Sequence, residues 1–311
     1  MKLLRGLDSV SALNAGTVAT IGNFDGVHLG HQALLAKLKA AALKLKLPSV
    51  VLLFEPQPGE FFYKEKAPAR LTNLREKIEI LQKLQIDYLC CLKFNQRLAN
   101  MLATNFAQTY FFSLLHAKYL IVGEDFRFGQ GRQGDINLLA SMAKKSDCVI
   151  DIFANYVLDG QRISSTKIRN LLSQNQLTDA QKMLGRPYSL CGRVIEGQKR
   201  GREWGIPTAN LNLKRLNLPF TGVFCVQVQD ESGQVLNGIA NLGCRPTVDG
   251  KHNVLEVHLF NFNGNLYGKM LKVIFLHKLR DEAKFSSVEK LVQQIHYDIK
   301  EAKCYFNDLF V

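Results

Sequence analysis

A chain of 311 residues is longer than one hydrophobic core usually supports, so two domains are the first expectation. A hydrophobic share of 47% and a charged share of 22% belong to a globular protein and exclude a disordered one. The net charge of +13 favours anionic partners, yet Lys and Arg are spread along the whole chain, which points to phosphorylated small molecules and away from the basic stripe of a nucleic-acid binder.

At the N-terminus, Arg5 and Asp8 interrupt the apolar start too early for a signal peptide, and no later apolar run approaches the roughly 18–20 residues of a membrane helix. Thr17 to Ile21 reads as a short strand. His31 to Lys46 has apolar residues at helical spacing, and Ser49 to Phe54 is an apolar strand stopped by Pro56 and Pro58. A helix over Leu74 to Leu84, a strand over Tyr88 to Leu92, a helix over Phe106 to Leu115 and a strand over Tyr119 to Val122 follow. Such alternation predicts an α/β domain with a covered parallel sheet, whose ligands bind at the carboxyl ends of the strands. The pattern changes near Gly185, Arg186 and Pro187. Strands are expected over Val223 to Val228, Val235 to Ala240, Val254 to Phe260 and Met270 to Leu276, with hairpin turns at Asp249-Gly250 and Asn263-Gly264. These predict a small antiparallel β-barrel, closed by a terminal helix over Ser287 to Tyr305. The expected domains are residues 1–185 and 186–311. The seven cysteines are scattered with no C-x-x-C pair, so reduced thiols and a cytoplasmic setting are expected, with no membrane and no nucleic acid as partner.

Gly22-Asn23-Phe24-Asp25-Gly26-Val27-His28-Leu29-Gly30-His31 lies between the first strand and the first helix. Helix N-termini present unpaired N–H groups and attract phosphate, and Gly26 and Gly30 allow close backbone approach. His28 and His31 read either as ordinary structural histidines or as paired phosphate donors whose cationic forms a polyphosphate would favour. A zinc pair would lack its third and fourth ligands nearby. Further on, Ile163-Ser164-Ser165-Thr166-Lys167-Ile168-Arg169 opens a helical run. Its hydroxyls suit an N-cap, and Lys167 and Arg169 add cations suited to a polyphosphate.

Together these two segments resemble the HxGH nucleotidyltransferase superfamily, whose second motif is ISSTxxR-like. Gly123-Glu124-Asp125-Phe126-Arg127-Phe128-Gly129, with Gly131, Arg132, Gly134 and Asp135 after it, is similar to the flavin-binding loop of bacterial FAD synthetases. Phe54-Glu55-Pro56-Gln57-Pro58 is similar to the Pro-x-Pro segment of that family, in which many members carry His where this chain has Gln57. The resemblance implies adenylyl transfer from ATP to FMN. It assigns ATP to Gly22, Asn23, Phe24, Asp25, Gly26, Gly30, Ser164, Ser165 and Thr166, and catalysis to His28, His31 and Arg169. It assigns flavin to Pro56, Pro58, Gly123, Asp125, Phe126, Phe128 and Arg132.

In the second half, Gly197, Gly201 and Gly205 recur every four residues with Lys199, Arg200 and Arg202 among them. The composition fits a surface loop or a phosphate loop, although it lacks the Gly-Lys-Ser/Thr of a P-loop. If the segment is extended, Thr208 and Asn210 project to one face, and their neutral oxygens suit Mg²⁺ beside ATP phosphates. Leu255, Val257 and Leu259 alternate with Glu256 and His258, placing Glu256 opposite the apolar face, where it reads as a solvated carboxylate. Residues 187 to 311 resemble riboflavin kinase, most specifically at Gly205 to Asn210 and also at Asn241-Leu242-Gly243-Cys244-Arg245-Pro246-Thr247. The resemblance implies Thr208 and Asn210 as the Mg²⁺ ligands and Glu256 as base, with Gly197, Gly201, Arg202 and Gly205 over ATP. The whole chain thus resembles bacterial bifunctional riboflavin kinase/FAD synthetases, which implies riboflavin, FMN and FAD as substrates or products. Other HxGH adenylyltransferases would leave the C-terminal barrel unexplained. A relative of class I aminoacyl-tRNA synthetases would need a lysine-rich signature loop, and a non-catalytic flavin binder would gain nothing from His28, His31 and Glu256 together.

Overall fold

The computed structural model describes residues 1–5, 13, 15–197, 200–247 and 250–308. The chain forms two compact units, one of Met1–Pro68 and Thr72–Ser165, the other of Ala69–Leu71 and Thr166–Val311.

The first unit is built on six parallel strands, β1 (Lys2–Arg5), β2 (Thr17–Ile21), β3 (Ser49–Glu55), β4 (Tyr88–Lys93), β5 (Ala117–Gly123) and β6 (Val149–Phe153), in the order β1-β4-β3-β2-β5-β6. Successive side chains point to opposite faces. Val18, Val51, Leu53, Leu89 and Ile121 lie with Leu34, Leu35 and Leu38 of the helix Leu29–Leu45 and Leu81 of the helix Leu74–Lys83. Ala19, Val50, Leu52, Leu120 and Val122 form a second core with Phe106, Phe111 and Leu139. Because both faces are covered, these strands read as continuous apolar runs. From β2 the chain builds β3 and β4 on one side, then returns to place β5 on the other. The loops after β2 and β5 therefore flank a topological switch point, the position where open α/β sheets bind ligands.

The expected strands at 17–21, 49–54, 88–92 and 119–122 are all present. The first helix starts at Leu29, two residues before its expected start. The expected helix over Phe106 to Leu115 is instead an α-turn, Ala103–Phe106, running into a π-helix, Ala107–Leu114. A two-stranded ribbon, β7 (Val157–Leu158) and β8 (Gln161–Arg162), precedes the helix Ser165–Ser173.

In the second unit, β9 (Ser189–Ile195), β10 (Ala209–Asn212), β11 (Gly222–Gln229), β12 (Val235–Thr247), β13 (Gly250–Leu259) and β14 (Met270–Arg280) close an antiparallel barrel in the order β10-β13-β12-β11-β14-β9. Phe220, Phe224 and Phe275 pack edge to face at 4.9–5.4 Å between ring centres, with Tyr188 against Phe220. On the opposite side of the strands, Cys225, Ile239 and Phe260 meet Ala302 and Phe306 of the terminal helix Val288–Asp308. The helix Leu177–Leu184 packs on β14. The expected strands at 223–228, 235–240 and 270–276 fall within β11, β12 and β14, and the one at 254–260 coincides with β13 up to Leu259. Strands β9 and β10, not among the expected strands, complete the barrel. Of the expected Asp249-Gly250 turn, Asp249 lies outside the described residues.

Candidate active sites

The loops after β3, β2 and β5 leave neighbouring strands side by side, within about 10 Å across the sheet given a strand spacing of about 4.8 Å. After β2 the backbone turns sharply, with positive φ at Phe24, Gly26 and Val27. The buried Asp25 carboxylate accepts the Thr72 N–H at 3.0 Å, and Thr72 Oγ1 accepts the Gly26 N–H at 2.9 Å. These bonds fix the turn and direct the Asp25 side chain to Thr72. Ser165 Oγ donates to the Asp25 carbonyl at 2.8 Å, which joins the second motif to the first.

His28 caps the helix Leu29–Leu45. Its Nδ1 accepts the His31 N–H at 3.3 Å, so the ring proton of the neutral form resides on Nε2, which is left to donate. The two imidazoles stack, 3.6 Å apart at 14°, and Phe24 lies 5.1 Å from His31. A side chain at Gly30 would press on the His28 ring. Burial, then His28, then the fully buried Lys77 push the His31 pKa well below its ordinary value. The cationic form expected of His31 is therefore disfavoured in the protein without ligand, because desolvation, His28 and Lys77 act in the same direction.

After β3, a cis Glu55-Pro56 bond leads to Gln57 and to Pro58, which opens the helix Pro58–Tyr63. Phe61 and Phe62 of this helix form an edge-to-face cluster with Phe94, and Phe62 is 57% exposed. Sequence reading missed this cluster, which depends on Phe94 arriving from the end of β4. After β5, Gly123 leads to Asp125, which pairs with Arg162 at 2.6 Å. Phe126 and Phe128 stack at 5.3 Å, but Phe128 is buried against Phe106. Mutual backbone bonds between Phe128 and Gly134 close the loop, and Gly129 lies so close to Ala103 that any side chain there would overlap its backbone. Arg132 is exposed at the tip with φ 57°. Thr166 and Arg169 belong to the second unit, where Arg169 Nε donates to the Ala69 carbonyl at 2.6 Å.

The second site is a 490 Å³ pocket on the outer face of the barrel, beneath the terminal helix. Register pairs Asn210 with Glu256, Glu256 with Asn241, Asn241 with Val223 and Val223 with Arg280. Paired residues share a face, so this row crosses five strands and lines the pocket. Thr208, two residues before Asn210, also lines it, as does Gly201. A side chain at Gly197 would overlap the Asn210 amide, and one at Gly201 would overlap the Ile206 carbonyl and touch Thr208 Oγ1 at 3.4 Å. The glycine loop is thus drawn onto the two residues expected to hold Mg²⁺. Gly205 has φ 70° and closes the short helix Arg200–Glu203, and Arg202 reaches Tyr267. His258 Nδ1 lies 2.9 Å from the Pro207 carbonyl, tying this loop to β13.

One end of the pocket is polar, with Thr208, Asn210 and Glu256. The other is apolar, with Ala283, Phe285, Leu291 and Ile295. Between the apolar end and the barrel, Arg280 makes a bidentate pair with Asp298, at 3.0 Å from Nε to Oδ1 and 2.8 Å from Nη2 to Oδ2. Asp298 is 1% exposed and also accepts from Gln294. Arg280, Asp298 and Phe285 escaped the sequence reading. An Arg at a strand end and an Asp inside an amphipathic helix look like ordinary surface charges until the barrel register brings them together.

A family model described as FAD synthetase matches residues 10–167, and one described as riboflavin kinase matches residues 184–306. A bifunctional riboflavin kinase/FMN adenylyltransferase from Haemophilus influenzae is 46% identical over 307 residues, covering 99% of this chain and 100% of its own. The protein so named from Escherichia coli is 44% identical over 307 residues, 98% of each chain. Among solved structures, one named as a macrolide-efflux protein from Streptococcus pneumoniae has a TM-score of 0.78 at 31% identity and covers 96% of this chain and 97% of its own. Among the described residues here, no helix is long and apolar enough to cross a membrane.

Proposed function

Because the chain belongs to the family of bifunctional riboflavin kinase/FMN adenylyltransferases, converting riboflavin to FMN and FMN to FAD with ATP, we propose how its residues divide that work. The observation that carries the kinase assignment is the single pocket uniting Thr208, Asn210, Glu256 and the glycine loop with an apolar end. ATP phosphates lie under Gly197, Gly201, Arg202 and Gly205, and the flavin ring takes the apolar end. Thr208 and Asn210 fit Mg²⁺, since Thr208 Oγ1 and the Asn210 side-chain amide, each carrying a neutral oxygen, border the cradle that a side chain at Gly201 or Gly197 would fill. The ion supplies charge neutralisation on the phosphates when bound. Glu256 takes the proton of the 5′-hydroxyl as that oxygen bonds to the γ-phosphorus. The bond to the β,γ-bridging oxygen breaks and ADP departs.

For adenylyl transfer we place ATP on the turn Gly22 to Gly26 and at Gly30, with the Ser164 to Thr166 turn on the outer phosphates. An FMN phosphate oxygen attacks the α-phosphorus, and the α–β bond breaks to release pyrophosphate. The nucleophile is already an anion, so the site aligns and neutralises without a base. His28 donates through Nε2, and His31 donates as a neutral imidazole. Arg169, one helical turn after Ser165, assists. The loops after β3 and β5 take the flavin through Pro56, Pro58, Gly123, Asp125, Phe126 and Arg132, and Phe128 supports Phe126 from the core. Asp25 and Phe24 shape the ATP turn. The functional boundary is placed near residue 186. The enzyme acts on small molecules in the cytoplasm, and its positive charge serves anionic substrates.

Product chromatography after incubation with riboflavin, ATP and Mg²⁺ tests the division. Glu256→Ala is expected to slow FMN formation about 10²–10⁴-fold. His28→Ala is expected to accumulate FMN, with adenylylation slowed about 10²–10³-fold. A His28→Ala protein that still makes FAD at the parent rate overturns the first assignment, and a Glu256→Ala protein with full kinase activity overturns the second.

A further inference from the structure

Gly243 belongs to the Asn241-to-Thr247 segment of β12, and Glu282 to the segment that follows β14. The structure puts them together. Gly243 lies on the pocket face of β12, two residues beyond Asn241, and a methyl group added there would overlap the Glu282 carboxylate. Only a residue without a side chain allows the carboxylate to sit on the strand. Glu282 and Ala283 both line the pocket, and Phe285 follows. The segment that carries them leaves β14 directly after Arg280 and reaches the terminal helix at Val288. Its root is fixed, because Arg280 is held by the buried Asp298 and donates through Nη1 to the Asp281 carbonyl at 3.0 Å. The Arg280 guanidinium also lies over the Phe285 ring at 5.6 Å. The segment is thus held at its root by an ion pair and at its far end by a cation over an aromatic face, and in its middle the Glu282 carboxylate lies close against the Gly243 backbone.

We propose that Glu282 is a positioning residue that sets the affinity of the kinase pocket for riboflavin, by latching residues 281–285 to Gly243 as the wall of the apolar end. The inference rests on the kinase reading above. The latch holds the apolar end and leaves Gly201, Thr208 and Asn210 untouched, so it acts on the flavin and not on the nucleotide. It also explains glycine at position 243. The backbone there does not need positive φ, so the requirement is space for the carboxylate.

The test uses the full chain and three variants, Glu282→Ala, Gly243→Ala and the double variant. Gly243→Ala is informative because the atoms in the way are the end of a flexible side chain, so the strand can keep its path while the carboxylate is displaced. KM for riboflavin and for ATP, kcat for FMN formation, and quenching of riboflavin fluorescence on binding with Mg-ADP present are measured for each. Both single variants are expected to raise riboflavin KM and weaken riboflavin binding about tenfold, with ATP KM within about twofold of the parent. The double variant is expected to match the weaker single variant within about twofold, since both changes break one device. Riboflavin binding within twofold of the parent in either single variant overturns the latch. So does an equal rise in ATP KM, which marks general loss of the pocket, and so does full additivity in the double variant. A parent that binds riboflavin but forms no FMN overturns the kinase reading instead, and the binding titration then still decides the latch.

Discussion

The surroundings of His31 act against a proton on its ring. Burial, a stacked neighbour and the Lys77 cation all disfavour its proton, so the folded protein holds the ring neutral at pH values where the unfolded chain protonates it. A group with a depressed folded pKa stabilises the fold fully above its unfolded value, here 6.5, and that stabilisation is lost as pH falls from there toward the lower folded value. Thermal unfolding between about pH 7.5 and about pH 5.5 should therefore show the parent losing more stability than His31→Asn, which has no such proton to take up. Equal losses in the two proteins would remove His31 as the acid-sensitive group. Buried cysteines behave in the same sense. Desolvation pushes the thiols of Cys90 and Cys225 up to about 12, which leaves them inert packing groups.

At the scale of elements, the glycine loop after β9 is drawn onto Thr208 and Asn210, and Trp204 lies on the pocket wall. Its fluorescence is therefore expected to change when Mg-ADP and riboflavin fill the pocket. An unchanged signal at demonstrated saturation would separate this loop from the nucleotide. Elements buried on both faces were the legible ones. β2, β3 and β5 are short apolar runs, and nothing but a covered parallel strand fits them. β10 was not legible, since it has four residues, follows Pro207, and takes its strand character from pairing with Glu256 and Ile195. The π-helix at Ala107–Leu114 has the same apolar spacing as an α-helix over those residues, so its register shift leaves no mark in the pattern. Within the sites, Glu256 was legible as the polar position of an alternating strand, and Thr208 and Asn210 as a two-residue spacing. Arg280, Asp298 and the Gly243–Glu282 contact were not, because each joins residues that only barrel closure makes neighbours.

The whole molecule divides by contact between Ser165 and Thr166, so the helices before residue 185 group with the barrel. Leu177, Ala180, Met183 and Leu184 are buried on the helix that packs on β14. Exposing a large apolar side chain costs about 1.5–3 kcal/mol. A fragment of residues 166–311 is therefore expected to unfold at a higher temperature than one of residues 187–311, and to retain FMN formation, since every residue placed in the kinase pocket lies beyond Thr166. Equal melting temperatures for the two fragments would show that these helices contribute nothing to the barrel.

Strand β13 serves two ends at once. Leu255, Val257 and Leu259 are buried in the barrel, while Glu256 and His258 face the pocket. The strand is in effect two texts written in alternate letters, one spelling the core and the other the chemistry. Each can be edited without touching the other, so substitutions at the odd-numbered positions should alter stability and those at the even-numbered ones turnover. Insertion of a single residue acts as a frameshift on both, turning Glu256 into the hydrophobic interior and a leucine into the pocket. Insertion of two residues leaves both texts in phase.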